Sequence, residues 1–266
     1  MRLAAITRYP IKSCRGISVA SARIGRRGIE DDRRWMIVDA EGVFVTQREE
    51  ARLALIGVAL EGDALRLEAP GTGALTLAAR SDAGVRRSVV VWRSTVEAVV
   101  SADASAWMAR YLGRDVSVVY MPDDVRRAID PLHAHEGDSV SFADGYPVLL
   151  ASSASLEDLN ARLATPVGMS RFRPNVVIEG SPAWAEDGWS AITIGALRFR
   201  APKPCDRCVI VTIDPATALA GREPLRTLSS FRRKDGKVLF GTNLIPELAG
   251  DETIEISVGD PIEVER

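Results

Sequence analysis

Apolar and polar positions alternate in short runs along most of the chain, and glycine, proline or acidic turns break the runs every few residues. Trp35–Val38 is followed by the polar stretch Asp39–Gly42 and then by Val43–Thr46, a pattern that predicts a β-hairpin. Further strands are expected at Leu53–Leu60, Leu65–Glu68, Ala74–Ala78 and Ser88–Val100, with Glu61–Asp63 and Pro70–Gly71 as turns. Strands this closely spaced point to an antiparallel barrel or sandwich rather than to βαβ units. A helical period stands out in three places. One is Asp103–Leu112, with Gly113 as its stop. A second opens near Ser153 or Ser155; Ser155 and Asp158 resemble a cap, and Leu156, Leu159 and Leu163 share a face. The third starts at Pro224, with Leu225, Leu228 and Phe231 as its stripe.

After Met121 the chain turns polar, which suggests a division into residues 1–121 and 122–266. In the second part strands are expected at Asn175–Glu179, Ile192–Arg200 (a hairpin around Gly195), Cys208–Asp214, Lys237–Asn243, Thr253–Val258 and Pro261–Val264. No internal repeat is visible. The expected fold class is β-rich α+β: two β-rich lobes with a few helices packed on them.

Composition narrows the function. With 46% apolar and 26% charged residues the 266-residue chain is an ordinary globular protein. Its net charge of −2 argues against non-specific nucleic-acid or anionic-membrane binding, so any anion site must be a local cluster. The tryptophans show no stacking period for nucleic acid, and core or pocket-wall roles are expected of them. Three cysteines, two of them the close pair Cys205 and Cys208, fit a reducing compartment rather than a disulfide scaffold. No secretory or membrane-spanning apolar run is present, so a cytoplasmic location is expected.

Four segments carry candidate chemistry. CDRC at 205–208 is flanked by Lys203, Arg207, Arg198 and Arg200, cations expected to favour thiolate and lower the thiol pKa below ~8.5. The spacing alone is equally compatible with two ordinary buried thiols. YPIKSC at 9–14 places Lys12 and Ser13 beside Arg15 and Gly16, a set that can hold an anion. The charged run Asp31–Arg34, taken alone, reads as a solvated ion-pair face. In FRPN at 172–175, Arg173 can fork onto a phosphate and Asn175 can offer amide hydrogen bonds to a heterocycle. Together these segments supply what an anionic cofactor with a heterocycle, a phosphate and a soft metal requires. His133 and His135 fall in a polar stretch and are expected in a surface loop.

The same segments, with TQR at 46–48, FADGYP at 142–147, Thr212, Asp214-Pro215, EPL at 223–225 and VGDP at 258–261, follow in an order that resembles the MOSC family. The resemblance is to the branch of the mitochondrial amidoxime-reducing component and its bacterial relatives, and it spans nearly the whole chain. It implies an N-terminal antiparallel β-barrel-like lobe packed on a MOSC β-barrel lobe, with molybdenum cofactor (molybdopterin, Mo) between them. It also implies that Cys208 ligates molybdenum and acts as the catalytic residue. The cofactor-binding residues implied are Lys12, Ser13, Arg33, Arg173 and Asn175, the loop Asp144, Gly145 and Tyr146, and Asp206 and Arg207. The activity implied is reduction of N-hydroxylated compounds such as amidoximes, hydroxylamines and N-hydroxylated bases. Because the chain ends at Arg266 soon after the last expected strand, the electrons would come from a separate ferredoxin-type or flavin donor protein. A carrier or sulfur-relay role, with a persulfide on Cys208, is the alternative. Two departures stand out. Arg34 occupies a position where an aromatic is common, and DPATA at 214–218 stands where relatives carry DPDTG.

Overall fold

The computed structural model describes residues 1–266. Nine strands form the largest sheet. Its order is Ile262–Glu265, Ala191–Ile194, Leu197–Asp206, Lys237–Pro246, Val148–Ser152, Val176–Glu179, Arg2–Arg8 and Ile17–Val19, with Arg233–Lys234 pairing beside Lys237–Pro246. A four-stranded sheet runs Trp35–Val38, Ser117–Tyr120, Ser94–Ser101, Arg86–Val91. Two three-stranded sheets complete the β structure. One joins Ile254–Ser257 to Ser21–Gly25 and Gly28–Ile29, the other is Gly57–Glu61, Ala64–Ala69 and Gly73–Ala78. The expected β-rich class is therefore observed. The first four strands hydrogen-bond into sheets that also draw strands from beyond residue 121.

Three α-helices pack on these sheets: α1 (Ala102–Leu112), α2 (Ser153–Asn160) and α3 (Leu225–Phe231). The N-cap of α1 is Ser101, whose side chain accepts from the Ala104 N–H, and Gly113 closes the helix at φ 66°, a conformation glycine adopts without penalty. Its buried face, Ala104, Trp107, Met108, Tyr111 and Leu112, joins the first-lobe core around Trp35 and Tyr120. A second core lines the nine-stranded sheet, with Leu3, Ile6, Phe199 and Leu244 fully buried. Each such side chain contributes ~1.5–3 kcal/mol of transfer free energy.

Several expected elements differ. Ser155 does not cap α2. It is buried, donates to Glu186 Oε1 (2.7 Å) and accepts from the Trp184 N–H (2.8 Å). Val43–Thr46 keeps only isolated bridges, to Val38 and Val90, because the chain turns at once over Thr46–Glu50; the regular partner of Trp35–Val38 is Ser117–Tyr120. Leu53–Leu60 is a 3-10 turn, Ala51–Leu55, followed by the strand Gly57–Glu61; the Glu50 carboxylate accepts from the Arg52 N–H and starts the turn. Ser88–Val100 is two strands joined at Trp92 and Arg93. The expected strand Cys208–Asp214 does not form. The preceding strand ends at Asp206, and Val209–Thr212 is a 3-10 turn in which the Thr212 hydroxyl donates to the Val209 carbonyl (2.8 Å).

In the turn after it, Ala218 takes φ 59°, a conformation that favours glycine. A Cβ in that region costs ~1–2 kcal/mol, partly offset by the extra freedom glycine gives the unfolded chain. Ala218→Gly should therefore raise the unfolding free energy by ~0.5–1 kcal/mol, read as a shift in urea midpoint at constant slope.

Topology positions the site. Val148–Ser152 and Val176–Glu179 are parallel neighbours, and Arg2–Arg8 is antiparallel to the second. The chain entering the first two and leaving the third therefore emerges at one end of the sheet. Residues 142–147, 172–175 and 9–14 are those three segments. Lys203 pairs with Asn243 and Asn243 with Leu149, which brings the strand leading to Cys205 to the same level.

Candidate active site

A cleft of about 480 Å³ opens at this end. Every site residue singled out from the sequence lines it: Lys12, Ser13, Arg33, Asp144, Gly145 and Tyr146, and from the other wall Arg173, Asn175, Asp206, Arg207 and Cys208. Four of the lining residues that are not glycine hold the left-handed backbone conformation: Ser13 (φ 71°), Arg33 (47°), Trp92 (56°) and Arg173 (53°). Each costs ~1 kcal/mol or more, and such strain concentrates where geometry serves a site.

The charged run at Asp31–Arg34 is not a solvated face. Asp32 is 1% exposed and accepts three hydrogen bonds: from the Tyr9 N–H (2.8 Å), Arg33 Nη1 (2.6 Å) and Asn175 Nδ2 (3.0 Å). Tyr9 and Asn175 bring their backbone and amide to it from two other segments, so the ion pair locks three cleft-lining loops together. Burial opposes the charge on Arg33, but the adjacent Asp32 carboxylate outweighs it and raises the guanidinium pKa. Arg34 points the other way, onto the Met121 carbonyl (2.9 Å), Asp123 (2.8 Å) and the Tyr120 ring.

Asn175 does not offer a free amide. Its Oδ1 accepts from Arg33 Nη1 (2.8 Å) and the Leu149 N–H (3.1 Å), and its Nδ2 donates to Asp32 and the Thr7 carbonyl (3.2 Å). All its hydrogen-bonding positions are used inside the protein, so it positions Arg33. Lys12 is partly committed: it is buried and spends two of its three donors on the Phe142 carbonyl (2.8 Å) and Asp144 Oδ1 (2.5 Å). Burial lowers the Lys12 pKa. Asp144 opens to the cleft with 61% of its side chain exposed; partial desolvation there would raise its pKa, but the Lys12 ammonium beside it holds the carboxyl well below the usual range.

The cleft-lining cations without a direct salt bridge are Arg48, Arg173 and Arg207. Arg48 was missing from the sequence-derived site, although TQR was among the segments that carried the resemblance. Its Nη2 donates to Cys208 Sγ (3.2 Å) and its guanidinium lies over the Trp92 ring (4.9 Å). Arg173 and Arg33 both lie against the Tyr9 ring, at 4.4 and 4.3 Å. Arg173 is held there because Phe172 before it is fully buried and stacks on Phe240 at 3.7 Å. Arg207 reaches Cys205 Sγ (3.0 Å) and the Phe172 carbonyl (2.5 Å). Two lining groups are orphaned: the Tyr146 hydroxyl and Arg207 Nε are buried without a hydrogen-bond partner, and burial pushes the Tyr146 phenol up to about 12.

Trp92 takes the pocket-wall role expected of the tryptophans and Lys203 stays beside the CDRC segment, whereas Arg127 is marked by nothing in the sequence. Trp92 donates to Asp144 (3.2 Å) from the hairpin turn. Lys203 lines the cleft and pairs with Asp206 at 3.6 Å. Arg127 is 4% exposed, forms no salt bridge and donates to the carbonyls of Ser141 (2.8 Å), Ala143 (2.6 Å) and Asp144 (2.8 Å), clamping the loop that carries Asp144 and Gly145. No local signal marks it, since its acceptors are backbone atoms brought close by the fold.

The two halves of the chain that meet at this cleft match two known domains. Residues 1–115 match the MOSC N-terminal beta barrel domain, and residues 137–263 match the MOSC domain. The chain belongs to the MOSC family. It is 34% identical to the mitochondrial amidoxime-reducing component 1 of Homo sapiens over 277 residues, 96% of this chain and 80% of that protein. It is 36% identical to the component 1 of Mus musculus over 96% of this chain and 79% of that protein. With the mitochondrial amidoxime reducing component 2 of Rattus norvegicus the identity is 34%, over 96% and 80%. No helix of this MOSC protein is long and apolar enough to cross a membrane.

The three thiols of this MOSC protein differ sharply. Cys14 is fully buried and its pKa is pushed up to about 12. Cys205 does not behave as the sequence suggested. Burial raises its pKa, and Arg207 only partly offsets this, while Arg198 and Arg200 are turned away to Glu265, Glu247 and Asp138. Cys208 lines the cleft with Arg48 on its sulfur. Alkylation of the folded, metal-free protein should modify Cys208 first and leave Cys14 untouched until denaturation. Peptide mass mapping after short exposure to iodoacetamide checks this, and early labelling of Cys14 would contradict the packing around it.

Proposed function

We propose that this protein is a molybdenum-cofactor-dependent reductase of N-hydroxylated compounds that receives electrons from a separate donor protein. The observation that carries the reading is the Cys208 sulfur in a cleft with three guanidinium groups that form no salt bridge. The residues present suit the group. Thiolate is a soft-metal ligand, and the surplus cations with the orphaned Tyr146 hydroxyl and Arg207 Nε match an anion with polar edges. When bound, the cofactor supplies two-electron oxygen-transfer chemistry at its metal.

The protein's own groups divide the remaining work. Cys208 holds the metal. Arg173, Arg207 and Arg48 meet negative charge, with Ser13 and Gly145 leaving space and donors close to it; a Cβ at Gly145 would meet nothing within 4 Å. Lys12, paired with Asp144, and Arg33, paired with Asp32, hold the cleft walls in place and offer their remaining N–H groups. Asn175 fixes Arg33, and Asp206 with Tyr146 borders the side next to Lys203. The net reaction breaks one N–O bond, takes up two electrons and two protons, and releases the N–H compound and water.

Gently purified protein should contain about one molybdenum per chain together with a pterin, as a single thiolate ligand implies. With reduced viologen it should convert an amidoxime to the amidine. Folded protein free of molybdenum and carrying a labile extra sulfur on Cys208 would replace this reading with sulfur relay.

A further inference from the structure

A second, open groove lies on the Cys208 side of the molecule. The turn Val209–Thr212, α3 and the Arg233–Lys237 hairpin form its walls. Asp206 and Arg207 line this groove and the cleft alike, so one stretch of backbone separates the two. Between Arg222 and Lys237 the sequence places six cations against two carboxylates, on a chain whose net charge is −2. Arg232 pairs with Asp187. Arg222, Arg226, Arg233, Lys234 and Lys237 are all exposed and none pairs with a carboxylate. Some exposed arginines elsewhere are compensated, as in Arg66–Glu68, Arg162–Asp158 and Arg198–Glu265, and others such as Arg93 and Arg114 stand singly; here five unpaired cations fall within sixteen positions of chain. Val209, next to Cys208, lines the same groove and leaves 47% of its surface exposed.

An exposed apolar side chain among a surplus of one charge sign is the composition of a protein-docking surface, and the sign of the surplus selects an acidic partner. Five exposed cations spread over a turn, a helix and a hairpin match an extended negative face better than a single small anion. We propose that this groove docks an acidic electron-donor protein beside the Asp206–Cys208 segment. This rests on the reductase reading and supplies what that reading lacks, a place for the donor. Each docked one-electron carrier is oxidised by one electron; two such events, with two protons from water, match the two-electron cleavage of one N–O bond.

The test uses holoenzyme and two acidic probes, a plant-type [2Fe–2S] ferredoxin and a flavodoxin. Wild-type protein should bind at least one of them, with affinity falling ~tenfold or more between about 50 and 300 mM salt. An Arg226→Glu/Arg233→Glu/Lys237→Glu variant should bind at least ~tenfold more weakly and with a flatter salt dependence, while viologen-driven turnover stays unchanged. If that variant also loses viologen-driven turnover, the neutral Arg226→Gln/Arg233→Gln/Lys237→Gln variant decides, with a smaller loss of binding in the same direction. Equal binding by wild type and variant overturns the docking surface, and so does wild-type protein that binds neither donor, or binds RNA or anionic vesicles in their place. Wild-type holoenzyme inactive with viologen overturns the reductase reading instead, and the binding comparison still decides the surface.

Discussion

Cys208→Ala is expected to give a folded protein that retains no molybdenum and reduces N-hydroxylated substrates at least ~100-fold more slowly. Removing even an outer-shell partner of a metal ligand costs ~10–100-fold, so loss of the ligand itself sets that figure as a lower bound. In free energy the bound is roughly 2.7 kcal/mol of transition-state stabilisation. Stability should change little. Cys208 is half-buried, belongs to none of the apolar clusters, and caps a 3-10 turn without a side-chain hydrogen bond. Arg48, losing its contact at 3.2 Å, still has the Trp92 ring beneath it and open cleft around it. Cys205→Ala is the matched control, expected to keep the metal, because Cys205 is held by Arg207 as a thiol whose pKa burial has raised. Cys208→Ser separates the element from the shape: a hydroxyl is a harder ligand and should also fail to retain molybdenum. Elemental analysis and viologen-driven turnover read all three. A Cys208→Ala protein with full metal and full turnover would remove the assignment.

Asp32→Ala should cost ~3–5 kcal/mol of unfolding free energy, the size expected when one partner of a buried ion pair is removed and the other is left uncompensated. That is a large share of the ~5–15 kcal/mol typical of a folded domain. The carboxylate is 1% exposed and the Arg33 side chain 11%, so solvent cannot take over the three hydrogen bonds that disappear. The same substitution frees Tyr9 and Asn175, so the loops bearing Lys12 and Arg173 lose their common anchor and cofactor retention should fall with stability. Asp32→Ala/Arg33→Met should recover part of the loss, because no buried charge is then left alone. Urea unfolding of the two variants and wild type measures this, and an Asp32→Ala loss below about 1 kcal/mol would show that the pair is effectively solvated.

Much of the architecture was legible in the alternation of apolar residues. The β-rich class, Gly113 and Gly195 as turning points and the placement of all three helices follow from local chemistry. The failures have a common physical form. Val209–Ile213 reads as a strand because β-branched residues fit one, yet Arg207 pairs with Val238 through its backbone and the next turn closes on Thr212. Side chains override propensity there, as Glu50 does at Ala51–Leu55. In the site, residue positions were readable and residue economies were not. Lys12 and Arg33 look like free cations in sequence, but their carboxylates are Asp144, 132 positions away, and Asp32, which the fold buries. Asn175 looks like a recognition amide until the Leu149 N–H and the Thr7 carbonyl are seen to occupy it. Arg48 emerges as the partner of Cys208 only across 160 positions of chain.

The strand Arg2–Arg8 closes on partners near the other terminus: the Leu3 N–H donates to the Asp260 carbonyl, and Arg2 pairs with Glu179 and bridges Pro261. On the ribosome Arg2–Arg8 therefore emerges long before Asp260 and Pro261 and waits for them before these hydrogen bonds can form. Such long-range closure slows folding and leaves an apolar β-edge unprotected in the meantime, so the nascent chain should lean on chaperones, and residues 122–266 expressed by themselves should aggregate.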